Sequence, residues 1–116
     1  MIDRKIKFRF WDLLECKMMN DTDLEEYTLH SIRDWEGYLM QYIGYEDKNG
    51  KEIYEGDVIK YRGHEVSNGK QIRPERTMIV EFIPEKLYQI YCIINMENVE
   101  IIGNIYENPK LNEDEI

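Results

Sequence analysis

The chain is poor in the residues on which most metal sites and nucleophilic enzymes depend. Among its 116 residues are two histidines, His30 and His64, and two cysteines, Cys16 and Cys92. A zinc site takes about four nitrogen, sulfur or oxygen ligands, and neither histidine has a cysteine at ligand spacing. Both are read as surface histidines. No stretch approaches the roughly 20 apolar residues of a membrane helix. The opening Met-Ile-Asp-Arg-Lys-Ile-Lys has basic residues but no apolar run behind them, so it does not read as a signal peptide. The expected compartment is a reducing cytoplasm with no membrane contact, where both thiols stay free. The glycosylation sequon at Asn20-Asp21-Thr22 is then a chance match.

Other chemistries are missing as patterns. Gly44, Gly50 and Gly56 each follow a separate strand or turn and do not form a phosphate-cradling loop. Ser31 and Ser67 lack the flanking glycines of a nucleophile elbow. Asp21-Thr22-Asp23-Leu24-Glu25 alternates carboxylates like the start of a calcium loop, without that loop's glycine and terminal glutamate. It reads as a solvated acidic turn. Asp47 could face Glu55 or Asp57 across a hairpin, but turn chemistry accounts for all three without acid–base catalysis. The expectation is no catalytic residue, no cofactor and no metal ligand, in a protein that is not an enzyme.

What the sequence does have is apolar mass: 42% hydrophobic residues and nine tyrosines. That composition favours a folded chain over a disordered one, and the length fits a single domain over 1–116. The net charge of −9 is uneven. Residues 1–20 carry +2, 21–57 carry −8, 58–90 carry +2 and 91–116 carry −5. A chain so acidic repels the phosphate backbone of DNA as a whole, and its charge favours solubility. One local basic cluster stands out, Lys60, Arg62, Lys70, Arg73 and Arg76. It is the candidate nucleic-acid contact.

Patterning predicts a mainly β protein, β-rich α+β at most. Ile6, Phe8 and Phe10 alternate with Lys7 and Arg9, which predicts a half-buried first strand over 6–10 with the two cations on its polar face. Cys16–Met19 reads as a returning strand. Over 20–38, Thr22 and Glu25 fit a capping box, followed by strand-like character after Tyr27. A strand over 39–43 ends at Gly44, and Asn49-Gly50 predicts a type I′ hairpin turn. Glu55-Gly56-Asp57 is a second turn before a strand over 58–62. Residues 63–76 read as a long loop. Strands are then predicted over 78–82, with Met78, Val80 and Phe82 inward and Pro84 closing it, over 88–94, with Tyr88, Ile90, Cys92 and Ile94 on one face, and over 99–102. Residues 112–116 read as a frayed acidic tail. Tyr88, Tyr91, Trp35 and Tyr61 are candidates for a base-stacking platform, against a reading of the tyrosines as core and interface residues.

Three blocks carry a family resemblance: Lys7-Phe8-Arg9-Phe10-Trp11-Asp12, the run from Leu39 to Gly44 continuing over Asp47 to Ile59, and Ile102 to Pro109. In order and spanning nearly the whole chain, they resemble the YopX family of phage and prophage proteins. Residues 13–38 and 63–76 match no family pattern and are where features specific to this member are expected. The resemblance implies a phage or prophage origin, a bacterial cytoplasm and a mainly β fold. That fold would be a small SH3-like barrel or a curled antiparallel sheet with N-terminal strands. It supplies no catalytic residues and no activity. The leading expectation is an accessory protein that works through protein–protein contacts with itself, as a homo-oligomer, or with a host or phage protein. A nucleic-acid-binding barrel is the alternative, and a hydrolase or nucleotide-processing enzyme using the central carboxylates a weaker one.

Overall fold

The computed structural model describes residues 6–96 and 99–109. Its elements run β1 (Phe8–Asp12), β2 (Lys17–Met19), α1 (Asp21–Leu24), α2 (Leu29–Ile32), β3 (Gly37–Glu46), β4 (Glu52–Tyr54), β5 (Asp57–Arg62), β6 (Glu65–Ser67), β7 (Lys70–Ile72), β8 (Glu75–Ile79), α3 (Pro84–Met96) and β9 (Glu100–Asn104). All strand pairings are antiparallel, in a four-stranded sheet ordered β2-β1-β3-β4, a three-stranded sheet ordered β8-β5-β9, and the β6-β7 pair. The fold is mainly β, and of the two expected architectures this is the curled antiparallel sheet, a half-barrel.

Two apolar clusters hold it. Ile53, Ile59, Met78, Val80, Ile90 and Val99 bring β4, β5, β8 and α3 onto one core, with Ile43, Tyr45, Tyr61 and Ile101 against it. Phe10, Leu24 and Ile32 form a smaller one, with Phe8, Met19 and Trp35, where α1 and α2 cover β1. Burial of each large side chain contributes roughly 1.5–3 kcal/mol.

The turn Tyr54-Glu55-Gly56-Asp57 joins these parts. Asp57 Oδ2 accepts the Tyr54 N–H at 2.8 Å and Oδ1 accepts from the Arg9 guanidinium at 2.8 Å. Glu55 N donates to Gln41 O, and Gln41 N donates back to Glu55 Oε1, both at 2.9 Å. Gly56 N donates to Val80 O, and Ile105 N donates to Gly56 O, both at 2.9 Å. Gly56 has φ +86°, and a Cβ there would meet Met40 Sδ at 3.0 Å and the Tyr106 ring at 3.2 Å. Glycine is required twice over, by the dihedral and by the space.

Several expectations need correction. The segment 88–94 is helix, not strand. Pro84 occupies the first helical position, where a missing N–H costs nothing, and Glu85 suits the positive helix end. Ile90 is fully buried whereas Tyr88 is 72% exposed, so the two do not share a buried face. After Tyr27 the chain is helical rather than strand-like: Thr28 caps α2 by accepting the Ser31 N–H on its hydroxyl at 3.2 Å. The capping box of α1 is Asn20 with Asp23, two residues upstream of Thr22 with Glu25. Gly44 does not end its strand. β3 runs through it to Glu46, with a bulge between Tyr42 and Glu46 and φ +95° at Gly44.

Asn49-Gly50 is not a type I′ turn either. Gly50 has φ +80° but Asn49 is not at positive φ, and Gly50 N donates to Asp47 O at 3.0 Å. The strand near 78–82 ends at Ile79, leaving Phe82 41% exposed, and Pro84 opens α3 rather than closing the strand. The polar face assigned to Arg9 is in fact interior, its side chain 11% exposed, while Ile6 lies before β1 at 75%. Residues 112–116 fall outside the described residues.

Candidate functional site

The largest departure from the sequence reading is also the most informative. Residues 63–76 are not a loop. Asn68 at φ +52° and Gly69 at φ +75° form the two-residue turn that joins β6 to β7, and this is where the type I′ geometry resides. The pairings Val58↔Ile79, Arg62↔Glu75, Glu65↔Ile72 and Ser67↔Lys70 belong to one uninterrupted register. β5 and β6 on one side, and β7 and β8 on the other, are therefore a single ribbon that leaves the three-stranded sheet and continues beyond it. At about 3.3 Å per residue, the five residues from Gly63 to Ser67 carry it roughly 17 Å outward.

The root of this arm is pinned from both faces. Gly63 N donates to Pro74 O at 2.8 Å, the Arg62 guanidinium donates to Arg73 O at 3.1 Å, and Arg76 grips Glu65 with two bonds at 2.7 and 2.8 Å. The Glu65 carboxylate holds Arg76 above its ordinary pKa, and Arg76 holds Glu65 below its own. Pro74 has no N–H to return to Gly63 O, so the ladder loses one bond between β7 and β8. Val66 is 73% and Ile72 39% exposed, flanking a concavity of ≈ 400 Å³ bordered by His64, Gln71 and Arg73.

All five candidate cations lie on this ribbon: Lys60 and Arg62 on β5, Lys70 on β7, Arg73 between β7 and β8, and Arg76 on β8. The structure gathers them but does not leave them as one free positive face. Lys60 reaches Glu75 at 3.3 Å and Glu100 at 3.5 Å, which raise its pKa. Arg76 lies across from Tyr61, on the face opposite Lys60 and Arg62. The proposed aromatic platform is dispersed. Trp35 packs edge-on to Phe10 and Tyr27 at 5.3 and 4.8 Å, and Tyr91 tilts against Tyr45 at 6.1 Å. A stack the sequence did not announce is Trp11, Tyr106 and Tyr38, with centroids 6.5 and 4.8 Å apart. Cross-strand pairing of Trp11 with Tyr38 makes it, and no local pattern encodes it.

The central carboxylates all have structural partners. Asp47 is buried and accepts the N–H groups of Asn49 and Lys51 at 2.9 Å and of Ile101 at 3.1 Å. Burial pushes its pKa up, but these three donors outweigh it and hold the carboxyl below its ordinary value. Asp57 is pushed the other way, above its ordinary value, because burial outweighs the Arg9 charge. Burial, together with the nearby Glu52 charge, pushes Tyr54 up to about 12 against the opposing effect of Lys7 and Arg9. Among the described residues no group of three or more His, Cys, Asp or Glu comes together, and no helix is long and apolar enough to cross a membrane. Cys16 and Cys92 form no disulfide.

The fold and site can be set against known proteins. A search of the curated proteins finds no match. Among solved structures the chain is similar to the crystal structure of protein EF1440 from Enterococcus faecalis. The two share 21% identity with a TM-score of 0.53, over 94% of this chain and 99% of that one, a likeness that speaks to the fold alone. A family model described as YopX protein matches residues 20–113, which take in the central block from Leu39 to Ile59 and the closing block from Ile102 to Pro109 but not β1. With the larger part of its length inside that match, the chain belongs to the YopX family.

Proposed function

We propose that this protein is a non-enzymatic accessory factor of phage or prophage origin that acts in the bacterial cytoplasm through protein–protein contacts, as a homo-oligomer. The observation that carries the reading is the β5–β8 ribbon. It projects past its sheet with Val66 and Ile72 exposed and with both outer edges of its distal part unpaired by any described strand. An unpaired ribbon edge is a template for pairing with another chain. The non-enzymatic part is supported by the carboxylates, since Asp47, Glu55 and Asp57 are each engaged with backbone donors or Arg9.

Nucleic-acid binding is the second reading, favoured by the gathering of five cations on the same ribbon. The two readings give opposite results in one experiment. Light scattering should show a defined oligomer, and fluorescence titration with labelled single- and double-stranded DNA and RNA should show no binding at physiological salt. Tight binding with a log–log salt slope of about −3, lost when Arg62, Arg73 and Arg76 become alanine, would reverse the ranking. A strictly monomeric mass would remove the oligomer.

A further inference from the structure

The outer edge of the strand formed by β7 and β8 is an unbroken row of backbone groups with a self-complementary charge pattern. One bond sets its phase. Gly63 N donates to Pro74 O at 2.8 Å, so the polar groups of Gly63 and Pro74 face each other across the ribbon. The phase alternates along an antiparallel ladder. Lys70, Ile72, Pro74, Arg76 and Met78 therefore turn their backbone groups toward β5 and β6, and Gln71, Arg73, Glu75 and Thr77 turn theirs outward.

The phase of Pro74 has a consequence for the edge. Its missing N–H belongs to the inner ladder, so the outer row has no gap. Proline at an outward position is one device that keeps an edge strand from pairing, and it is not used here. Among the described residues β8 pairs with β5 alone and β7 with β6 alone. Gln71, Glu75 and Thr77 are exposed.

Arg73 and Glu75 share the outward phase, so their side chains leave one face of the ribbon with opposite sign. Laid antiparallel against itself about a two-fold axis at Pro74, the edge sets Arg73 of each copy opposite Glu75 of the other. Gln71 then stands opposite Thr77. The next allowed register on either side sets Arg73 against Arg73 or Glu75 against Glu75. Like charges directly opposite are destabilising, so the charge pattern selects the register centred on Pro74.

We infer that two copies of this chain associate edge to edge through residues 71–77, antiparallel about Pro74, with Arg73 of each paired to Glu75 of the other. This deepens the protein-contact reading and rests on it. The occupant is a second copy because the edge is complementary to itself, and an isologous two-fold contact matches both charges of both chains at once. Neither group is blocked by its own chain's contacts. Lys60 approaches Glu75 to 3.3 Å from β5, the side away from the edge. Arg73 O accepts from Arg62 at 3.1 Å and keeps a second lone pair for the ladder. The contact is small and in part electrostatic, so it is weak and loosens as salt screens it.

Sedimentation of the full chain at tens of micromolar protein in low salt tests this. Arg73→Glu alone and Glu75→Arg alone each place like charges opposite at both contacts, and each is expected to weaken association by about tenfold. An equimolar mixture of the two variants restores opposite charges at both contacts, as does the doubly swapped chain. Both are expected to associate as the wild type does, which neither would do if the single changes merely damaged the fold. Backbone pairing is read separately by amide exchange: the Gln71 and Glu75 N–H groups are expected to be protected in the wild type and to lose that protection in Arg73→Glu. An oligomer that survives both single changes overturns the edge inference and leaves the protein-contact reading standing. A mixture that stays apart overturns the edge inference as well. A wild-type protein that stays monomeric overturns both, and if it then binds labelled oligonucleotides through Arg73, the edge is a nucleic-acid contact instead.

Discussion

Arg9 on β1 donates to Asp57 at the start of β5 across 2.8 Å, with the guanidinium 11% and the carboxylate 2% exposed. The same guanidinium lies 4.8 Å from the centre of the Tyr54 ring and donates to Glu55 O at 3.2 Å, while its Nε is buried without a hydrogen-bond partner. It ties the N-terminal strand to the central turn. Removing one member of a buried pair leaves the other charge uncompensated, at about 3–5 kcal/mol. Arg9→Met is therefore expected to lower stability by that order in urea unfolding. Arg9→Met with Asp57→Asn should lose less than the two single changes added together. Full additivity would show that the pair does not interact.

Gly50 and Gly56 separate two reasons for glycine. Both have positive φ, +80° and +86°, but a Cβ at Gly50 meets nothing within 4 Å whereas one at Gly56 meets Met40 and Tyr106. Gly50→Val is expected to cost more than about 1 kcal/mol from backbone strain alone. Gly56→Val should cost more again, since packing fails as well. Thermal melts that rank the two in the opposite order would refute this account of the turn.

Asp47 sets a pH dependence. Its folded pKa lies below the ordinary 3.8, so ionised Asp47 stabilises the fold above that value. The contribution is lost as pH falls through the depressed folded pKa. Asp57, shifted upward, contributes in the opposite sense on the same acid limb, gaining as pH falls toward 3.8. Asp47→Asn cannot accept all three backbone donors and is expected to cost about 1–3 kcal/mol at neutral pH. It should also flatten the decline of the melting temperature below about pH 4. An unchanged acid limb would mean that Asp47 is not the group responsible.

Helix α3 anchors through Ile90 and leaves Tyr88 in solvent. Ile90→Ala is expected to destabilise by about 2–5 kcal/mol, and Tyr88→Ala by less than about 0.5 kcal/mol. Denaturant midpoints decide it. Equal losses would place both residues on one buried face, as in the strand that the sequence suggests.

The local signals that proved legible were those with a single physical cause. Period-two alternation located the inner strands around Phe10, Ile59 and Met78. Glycines at Gly50 and Gly56 marked turns because positive φ has few other tenants. The misreadings came where two patterns fit equally well. Tyr88, Ile90, Cys92 and Ile94 alternate, yet Leu87 and Ile90 are also three apart, and Pro84-Glu85 ahead of them is a helix start. A second Asn-Gly at 68–69 lay in plain view, but its flanks, Glu65 to Ser67 and Lys70 to Ile72, are too polar to read as buried strands, because outside the sheet they bury nothing.

By itself the sequence determined the β character, the turns at Gly50 and Gly56, the acidic balance and the family blocks. These depend on backbone dihedrals, composition and near neighbours. Only the tertiary structure decided that Arg9 faces inward, because its partner Asp57 lies 48 residues away. It alone made residues 63–76 a projecting arm, since register with β5 and β8, not local propensity, carries the ribbon past its sheet. And it alone distributed the five cations, because pairing across strands sets Arg76 against Glu65 and Lys60 against Glu75 and Glu100.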